Sequence, residues 1–559
     1  MILDYRNTLL VILSLCSCQV TANLFPESFD EELVLRPERD GRLVSRFAFT
    51  TVLDGAYPRD PETLGLEDHA QHYTLFPLAL GQLLREYAIT ELHLTLNAGK
   101  WNYENWGYPE EFGVGTGAEL WAWMGDAGPM SVDERWTGLR NALAGLFCAS
   151  LGSLDDQRTT SPTLTFRPEG HLPQHNYSYQ LRHATLPSEH VCTENLTPFL
   201  KLLPCKSLSG IASLLNPHRL FDADWHGLGI HVRYVRDTGV EVRLSFQAVF
   251  DPVRYSSDKK RGTITFDWSL HSLFDRTIDR SCPVAQSSKI FIRASNEDSA
   301  KLSPEPTTSD KHSVIFDVLK TPKPLDIAMT WPDEPVFQYP LSPPPSALTH
   351  LAIQRTLTGP NQSRGHLTVS ITNNEAVPIK AGYLETMPWL LQFYLHSLKV
   401  TSNGTPREDL VSIVSYVPPV PHARPALLQA LISLPANSTV VLTMDVVKPF
   451  LRYTEHPPDA QRGWDLPPAV FIPFGVDGED LGARTGSNHS GNPRHDGRLH
   501  RLYSPTLLVD LATPDFSMPY NVIIMSCTLI ALIFGSVFNL LTRKFVIVSL
   551  RPETPKVVE

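Results

Sequence analysis

The most constraining feature of the sequence is an uncharged apolar run near its C-terminus, Val522 to Leu541. A helix of about 20 residues spans a hydrocarbon core of about 30 Å, and inside lipid the backbone must satisfy its own hydrogen bonds. Arg543 and Lys544 follow at once, with two more basic residues beyond them, and basic residues stay on the cytoplasmic side. The pattern predicts a transmembrane helix over residues 522–541 and a cytoplasmic tail over residues 542–559.

The N-terminus has the layout of a secretory signal peptide. Arg6 precedes an apolar run from Leu9 to Leu15, and Val20-Thr21-Ala22 fits a small-x-small cleavage signal. We therefore predict a signal peptide over residues 1–22 and a type I, single-pass protein. A buried N-terminal helix is the alternative for this segment. A cleaved GPI-attachment signal is the alternative for the C-terminal end. Such a signal ends with its apolar run, whereas here a charged segment follows the run.

The region between the two ends is too long for one ordinary compact core. The whole chain has a formal net charge of −11, and this region contains no block of basic residues. Both features argue against a nucleic-acid partner. Proline clusters suggest loops between strands. We expect an N-terminal luminal β-rich domain with helices over residues 23–335, a Pro-rich linker over 336–346, a second luminal β-sandwich over 347–510 and a juxtamembrane segment over 511–521.

Alternating apolar residues dominate this region. Residues 230–246 alternate on both sides of Asp237-Thr238-Gly239, which predicts an antiparallel hairpin. Residues 264–268 and 367–371 repeat the pattern, and two further strands are expected around Pro435-Ala436-Asn437. Helical spacing is confined to Leu80–Tyr87 and Trp136–Phe147. The expected fold class is mainly β: two luminal β-sandwich-like domains with a few packed helices, plus the C-terminal transmembrane helix.

Six Asn-x-Ser/Thr sequons support a glycosylated protein of the secretory pathway. Proline directly follows the sequons at Asn195 and Asn403, so we expect lower occupancy there. The candidates are Asn176, Asn195, Asn361, Asn403, Asn437 and Asn488.

A search for a catalytic motif finds no G-x-S-x-G elbow, P-loop or H-E-x-x-H sequence. Gly113–Ala118 is glycine-rich but fits no dinucleotide fingerprint and is interpreted as a loop. His69 and His72 lie near two acidic residues, where a polar loop is favoured over a metal site. Cys148 lies in an apolar helical stripe, which favours a buried thiol or a structural disulfide over a nucleophile. We expect no catalytic residue, metal or cofactor.

Four cysteines remain in the luminal region: Cys148, Cys192, Cys205 and Cys282. The spacing of Cys192 and Cys205 is too wide for a redox Cys-x-x-Cys motif. A Cys192–Cys205 disulfide would close a short loop, but connectivity cannot be deduced from sequence.

The transmembrane run carries small residues at intervals of four. Cys527, Ala531 and Gly535 form a stripe on one helix face, with Ser536 beside it. Such stripes let helices approach closely in lipid, so these residues are candidates for packing against other spans.

Several segments together resemble the PIG-T family of GPI transamidase subunits. They include YTLFPLALGQLL, GAELWAWM, LAGLFCASL, VCTENLTPFLKLLPC and RLYSPTLLVDLATPDFSMPYNVI. The resemblance runs from about residue 31 to 545. It departs from the family in loops at 252–262, 296–312 and 455–500, and a short Cys-x(4)-Cys insertion near the hairpin turn is absent.

The resemblance implies a non-catalytic subunit in the endoplasmic reticulum membrane. The complex replaces a C-terminal signal of precursor proteins with a GPI lipid, and a caspase-like subunit supplies the catalytic residues. The resemblance also implies an interchain disulfide from Cys192 to that subunit. Three luminal cysteines would then remain, with Cys148–Cys205 a candidate internal pair and the state of Cys282 open.

Two rival functions remain at this point. One is a stand-alone luminal or cell-surface glycoprotein that binds ligands through its sandwich. The other is a hydrolase with an unrecognised site.

Overall fold

A computed structural model describes residues 26–67, 72–255, 265, 267–293, 300–309, 313–333, 336–341, 347–359, 363–448, 450–452, 455–456, 463–474, 500–512 and 517–548. The predicted signal peptide lies outside these ranges, as do His69, Asn361 and Asn488.

The described chain is mainly β, which confirms the predicted fold class. Fourteen of its strands precede the proline-rich stretch: β1 (Glu27–Pro37), β2 (Leu43–Asp54), β3 (Ile89–Ala98), β4 (Gly117–Gly125), β5 (Thr159–Thr160), β6 (Tyr179–Leu186), β7 (Trp225–Val235), β8 (Gly239–Phe250), β9 (Trp268–Ser269), β10 (Ser287–Ile292), β11 (Lys301–Ser303), β12 (Thr308–Ser309), β13 (Val314–Asp317) and β14 (Ala328–Thr330).

The remaining described strands follow that stretch. They are β15 (Leu351–Thr358), β16 (Arg364–Asn373), β17 (Ile379–Met387), β18 (Gln392–Ser402), β19 (Thr405–Pro406), β20 (Val411–Val417), β21 (Ala426–Leu434), β22 (Thr439–Val447), β23 (Trp464–Leu466), β24 (Val470–Phe474), β25 (Leu502–Tyr503) and β26 (Leu507–Val509).

The helices are few and mostly short. They are α1 (Leu78–Glu86), α2 (Tyr103–Trp106), α3 (Val132–Phe147), α4 (Thr193–Leu202), α5 (Pro217–Leu220), α6 (Pro252–Tyr255), α7 (Leu270–Phe274) and α8 (Ser517–Thr542), with 3₁₀ turns at Pro61–Thr63, Ser150–Ser153, Ile211–Leu214 and Glu408–Leu410.

The first part of the chain is organised by one eleven-stranded sheet in the order β12-β13-β10-β1-β2-β8-β7-β3-β4-β6-β5. The predicted hairpin lies at its centre, with Val235 opposite Gly239 across the turn, and is confirmed. Of the two helices expected from periodicity, α1 and α3 are both present. Three short strands, β11, β14 and β9, form a small second sheet. Only Trp268 of the strand expected at 264–268 is in a described strand, and residues 264 and 266 lie outside the described ranges.

The two faces of the large sheet are buried in different ways. Leu92, Leu94 and Leu96 of β3 face the apolar core formed with helices α1, α3 and α4. The alternate residues of the same strand, among them His93 and Asn97, are buried polar side chains. Strand β3 is therefore buried on both faces, with apolar side chains on one and polar side chains on the other. Another part of the protein must cover the polar face, since buried polar groups need hydrogen-bond partners.

The second part is a β-sandwich of two five-stranded sheets, β15-β16-β22-β18-β19 and β20-β21-β17-β24-β25. Their inner faces share one apolar core, which includes Val369, Ile432 and Leu442. The two strands predicted around Pro435-Ala436-Asn437 are β21 and β22. They lie in opposite sheets, so the turn crosses the sandwich and does not close a hairpin. The division of the β-rich region into two domains at residues 336–346 stays a prediction.

Helix α8 carries the predicted membrane span. Its segment Tyr520–Thr542 has a mean hydropathy of 2.2, and none of it is buried against the rest of the described chain. A helix of this length and composition meets the requirement for crossing a bilayer.

Candidate functional site: the Cys192 surface

Cys192 occupies the N-terminal end of helix α4. It precedes the first helical residue, Thr193, with extended backbone angles, and its side chain is exposed and unpaired. Glu194 is exposed beside it, whereas the preceding Val191 is buried in the core. A thiol anchored in this way between a buried residue and a helix start has a defined position on the surface. We use the term Cys192 surface for the exposed thiols of Cys192 and Cys148, whose backbones are joined by the buried side chain of Asn195.

Asn195 is the residue that fixes this position. Its side chain is fully buried, and its Oδ1 accepts a hydrogen bond of 2.6 Å from the backbone N–H of Cys192. Its Nδ2 donates to the carbonyl oxygen of Phe147 at 2.8 Å and to that of Cys148 at 3.4 Å. One amide therefore joins the start of α4 to the end of α3. An acceptor at the third helical position is a capping signal visible in sequence, but the sequon had suggested a different role.

A glycan on Asn195, a candidate for which lower occupancy was expected, does not fit the folded structure. A glycan is attached through Nδ2, and here that atom is buried and already donates to Phe147. The other described candidates, Asn176, Asn403 and Asn437, are exposed and stay predictions.

The prediction that Cys148 is a buried thiol is wrong. Helix α3 ends at Phe147, and Cys148 follows it in the left-handed conformation with φ of 53° and an exposed side chain. The reversal of the backbone turns the residue out of the apolar stripe that ends with Phe147. Cys148 thus lies on the same surface as Cys192, joined to it through Asn195.

The Cys148–Cys205 pairing is wrong too, because Cys205 forms a disulfide with Cys282. The Cα atoms of this pair are 5.9 Å apart, within the range that a disulfide spans. The bond also excludes a Cys192–Cys205 loop. It ties the segment after α4 to the segment before β10, which settles the state of Cys282.

A buried carboxylate lies beside this disulfide. Glu31 accepts hydrogen bonds from the backbone N–H of Ile211 at 3.2 Å and from the Ser288 hydroxyl at 2.9 Å. Burial raises its pKa to about 7, although these hydrogen bonds act in the opposite direction. Gly210, with φ of 70°, lies so close that a Cβ there would meet the carboxylate within 2.5 Å. The position therefore requires glycine for both backbone and space.

A second group of polar residues covers the polar face of the large sheet. Arg501, from the segment that leads toward the membrane helix, donates to Glu169 at 2.8 Å and lies over the Trp121 ring. Tyr503 donates to Glu119 at 2.7 Å. The segment that carries Arg501 and Tyr503 thus returns to the first sheet and is held there by charged and aromatic contacts.

Histidines extend this group across the sheet. His93 stacks on Trp121 with ring centroids 3.9 Å apart and shares a 2.9 Å contact with His231. Burial, reinforced by the charge of Arg243, lowers the pKa of His231 well below its usual value. Burial alone would raise the pKa of Glu169, but His93 and Arg501 hold it below its ordinary range.

This histidine–carboxylate group has little room for a substrate. A neighbouring cavity lined by Asn97, Glu111 and Gln247 has a volume of about 10 Å³, room for about one water molecule. Within the described ranges, no group of three or more His, Cys, Asp or Glu side chains is arranged to hold a metal ion. We interpret the group as the interior of an interface within the chain. Sequence reasoning missed it, although the polar alternation of His93, Thr95 and Asn97 opposite leucines is its signal.

The small-residue stripe of Cys527, Ala531 and Gly535 lies on α8. A Cβ added at Gly535 would meet nothing within 4 Å in the described chain. The stripe is therefore free of intrachain contacts at that residue, and its role in packing stays a prediction.

Comparison with known proteins shows which family this chain belongs to. The model of the Gpi16 subunit, described as a GPI transamidase component, matches residues 9–557. The chain is 37% identical to the human GPI-anchor transamidase component PIGT, with 93% of this chain and 91% of the relative covered. It is 33% identical to the PIG-T homolog of Schizosaccharomyces pombe, with 96% and 94% covered. It is 30% identical to GPI16 of Saccharomyces cerevisiae, with 93% and 89% covered. The chain therefore belongs to the Gpi16 family of GPI transamidase components.

Proposed function

We propose that this chain is a non-catalytic structural subunit of GPI transamidase, joined to a caspase-like catalytic subunit by a disulfide from Cys192. The observation that carries the proposal is the exposed, unpaired Cys192 thiol, whose backbone N–H is hydrogen-bonded to the buried Asn195 amide. The second disulfide, Cys205–Cys282, is internal, so it does not compete for the partner.

The non-catalytic role is supported by the chemistry of the described residues. The buried histidines contact carboxylates and aromatic rings inside an interface, and the adjoining cavity is too small for a peptide or a lipid headgroup. An adjacent general base is one common way to activate a nucleophile. The side chain that contacts Cys192 is the Asn195 amide, which accepts from the Cys192 backbone N–H and is not a base at neutral pH.

The proposed location is the endoplasmic reticulum membrane, with the bulk of the chain in the lumen. The apolar helix α8 and the basic residues Arg543 and Lys544 after it support a type I orientation. The oxidising lumen permits both the internal and the interchain disulfide. The other partners would be the multi-span subunits, and the substrates of the complex would be a GPI lipid and precursor proteins.

The benefit of the interchain bond is an increase in effective concentration. A covalent link turns a diffusional contact into a tethered one, with effective concentrations in the mM range for short flexible links. The subunit then need not bind the protease tightly at every contact. Activity without the bond should therefore fall but persist.

The test compares Cys192→Ser with Cys148→Ser, a matched substitution of the other exposed luminal thiol. Each variant replaces the endogenous protein in knockout cells, and a non-reducing gel is probed for the catalytic subunit. We expect Cys192→Ser to remove a reducible adduct and lower the surface level of GPI-anchored proteins severalfold, with Cys148→Ser retaining both. An adduct that survives Cys192→Ser would contradict the assignment. Purification without any protease, and unchanged GPI-anchored proteins in the knockout, would favour a stand-alone glycoprotein.

A further inference from the structure

Helix α4 contains a proline where a helix does not favour one. Pro198 is the sixth residue of Thr193–Leu202, beyond the first turn. It has no N–H to donate to the carbonyl oxygen of Glu194, four residues earlier, and its ring crowds that carbonyl. It also disfavours the helical conformation of the preceding residue, Thr197. Pro198 therefore removes a helical hydrogen bond and does not stabilise α4 through its backbone. The presence of a proline at this position needs another explanation.

Pro198 directly follows the sequon Asn195-Leu196-Thr197. The side chain of Asn195 must stay unmodified in the folded protein, because its buried Nδ2 donates to Phe147 and its Oδ1 holds the backbone of Cys192. Glycosylation would replace one Nδ2 hydrogen with a bond to the anomeric carbon of the sugar, with loss of a proton and departure of the lipid pyrophosphate of the donor. The resulting glycan could not be accommodated at a fully buried atom.

Burial by itself cannot protect Asn195. N-glycans are transferred to the chain as it enters the lumen, before α3 and α4 have packed together. Protection must therefore come from the local sequence. A proline after the sequon restricts the backbone of Thr197, whose hydroxyl the transferase has to engage together with the asparagine.

We propose that Pro198 keeps Asn195 unglycosylated during synthesis, and so preserves the amide that positions Cys192. The inference depends on the proposed function for the luminal location and for the use of Cys192. It assigns two roles that the family resemblance does not supply. Asn195 is a positioning residue for the Cys192 thiol, and Pro198 prevents the glycosylation of Asn195.

The chain contains a matched control site. Asn403-Gly404-Thr405 is also followed directly by a proline, Pro406. Asn403 is exposed in the turn between β18 and β19, where its Oδ1 accepts a 3.2 Å hydrogen bond from the backbone of Thr439. A glycan at Asn403 would project into solvent, so the same proline substitution should be harmless there.

The experiment expresses the full-length chain in cells as the parent protein and as Pro198→Ala, Thr197→Ala, Thr197→Ala/Pro198→Ala and Pro406→Ala variants. Glycan occupancy at Asn195 and Asn403 is measured by mass spectrometry after enzymatic deglycosylation in heavy-oxygen water. Folding is measured by limited proteolysis, and the adduct on a non-reducing gel. Thr197 is exposed and its hydroxyl donates only within the helix, to Thr193, so Thr197→Ala removes the sequon with little structural change.

We expect Pro198→Ala to gain a glycan at Asn195, with the modified fraction protease-sensitive and absent from the adduct. Thr197→Ala/Pro198→Ala should lack the glycan and recover both protease resistance and the adduct. Its unfolding midpoint should equal or exceed that of Thr197→Ala, because alanine restores the N–H donor to the helix. Pro406→Ala should gain a glycan at Asn403 and keep its fold and adduct.

Three glycosylation results would each overturn the proposal: a glycan at Asn195 in the parent, no gain of a glycan at Asn195 in Pro198→Ala, or a glycosylated Asn195 in a protease-resistant chain. A lower midpoint for the double variant than for Thr197→Ala would do so as well, since it would give Pro198 a packing role. Absence of the adduct from every variant, parent included, would instead count against the proposed function, while the occupancy and proteolysis results would still test Pro198.

Discussion

Replacing Cys205 with serine should destabilise the β-rich region that precedes helix α8, without removing the interchain adduct proposed for Cys192. The Cys205–Cys282 disulfide joins residues 77 positions apart. In the loop-entropy model, closing a loop of that length removes entropy from the unfolded chain and so destabilises the unfolded state by about 4.5 kcal/mol at 25 °C. Measured losses of native disulfides are typically about 2–5 kcal/mol. With an unfolding entropy of about 2.1 cal/mol/K per residue over roughly 490 residues, a loss of that size should lower the thermal midpoint by about 2–5 °C.

The assay is thermal unfolding of the purified full-length protein in mild detergent, with a non-reducing gel of the same samples. Cys148→Ser is the matched control, because that thiol is exposed and unpaired, and it should change stability by no more than about 0.5 kcal/mol. Cys205→Ser/Cys282→Ser should lose no more than either single variant, since the same constraint can be lost only once.

Three outcomes would refute this reasoning. The first is an unchanged midpoint in Cys205→Ser. The second is a double variant whose loss equals the sum of the single losses, which would mean that the two cysteines act independently. The third is a peptide map that links Cys205 to Cys148 or Cys192. Loss of the adduct in Cys205→Ser, with retention of the adduct in Cys192→Ser, would show that Cys205 forms the interchain bond instead of Cys192.

Three further predictions concern other parts of the molecule. Tyr503→Phe should lower the free energy of unfolding by about 1–3 kcal/mol, because it leaves a buried oxygen of Glu119 without its donor; an unchanged denaturation midpoint would contradict this. Burial raises the pKa of Glu31 from 4.5 to about 7, so the folded state holds this proton more tightly than the unfolded chain does, and stability should fall as pH rises through that range. Glu31→Gln should flatten this dependence in unfolding measurements at pH 5 and pH 8, and an identical slope in parent and variant would exclude Glu31 as its source. Gly535→Leu should weaken co-purification of the multi-span subunits in mild detergent, whereas Ile533→Leu on the opposite helix face should not; equal recovery with both variants would remove the stripe from the interface.

The parts of the structure that the sequence predicted are local. The hairpin around Asp237-Thr238-Gly239 follows from period-two alternation and a glycine turn, and it forms within 26 consecutive residues, Trp225–Phe250. Helix α3 follows from its apolar stripe and begins at a capping box between Ser131 and Glu134. Helix α8 follows from an uncharged apolar run of about 20 residues, long enough for a helix that satisfies its own backbone hydrogen bonds to cross a bilayer. In each case the determining interactions lie within a few residues of one another.

The candidate site depends on contacts between distant segments, and there local patterns were misleading. The sequon marked Asn195 as an exposed acceptor, but the packing of α4 against α3 buries it under Phe147. The apolar stripe of α3 suggested a buried Cys148, but the helix ends one residue earlier and the backbone reverses.

Sequence by itself determined that the chain is mainly β, has one apolar helix suited to a membrane and belongs to a recognisable family. Tertiary structure alone decided that Cys205 bonds to Cys282, that β21 and β22 enter opposite sheets, and that Arg501 closes the polar face of the first sheet. The physical reason is that periodicity records which face of an element is apolar but not which distant element covers it. That choice depends on the packing of the whole chain, where the entropy of closing a long loop changes slowly with its length and so discriminates weakly between alternative partners.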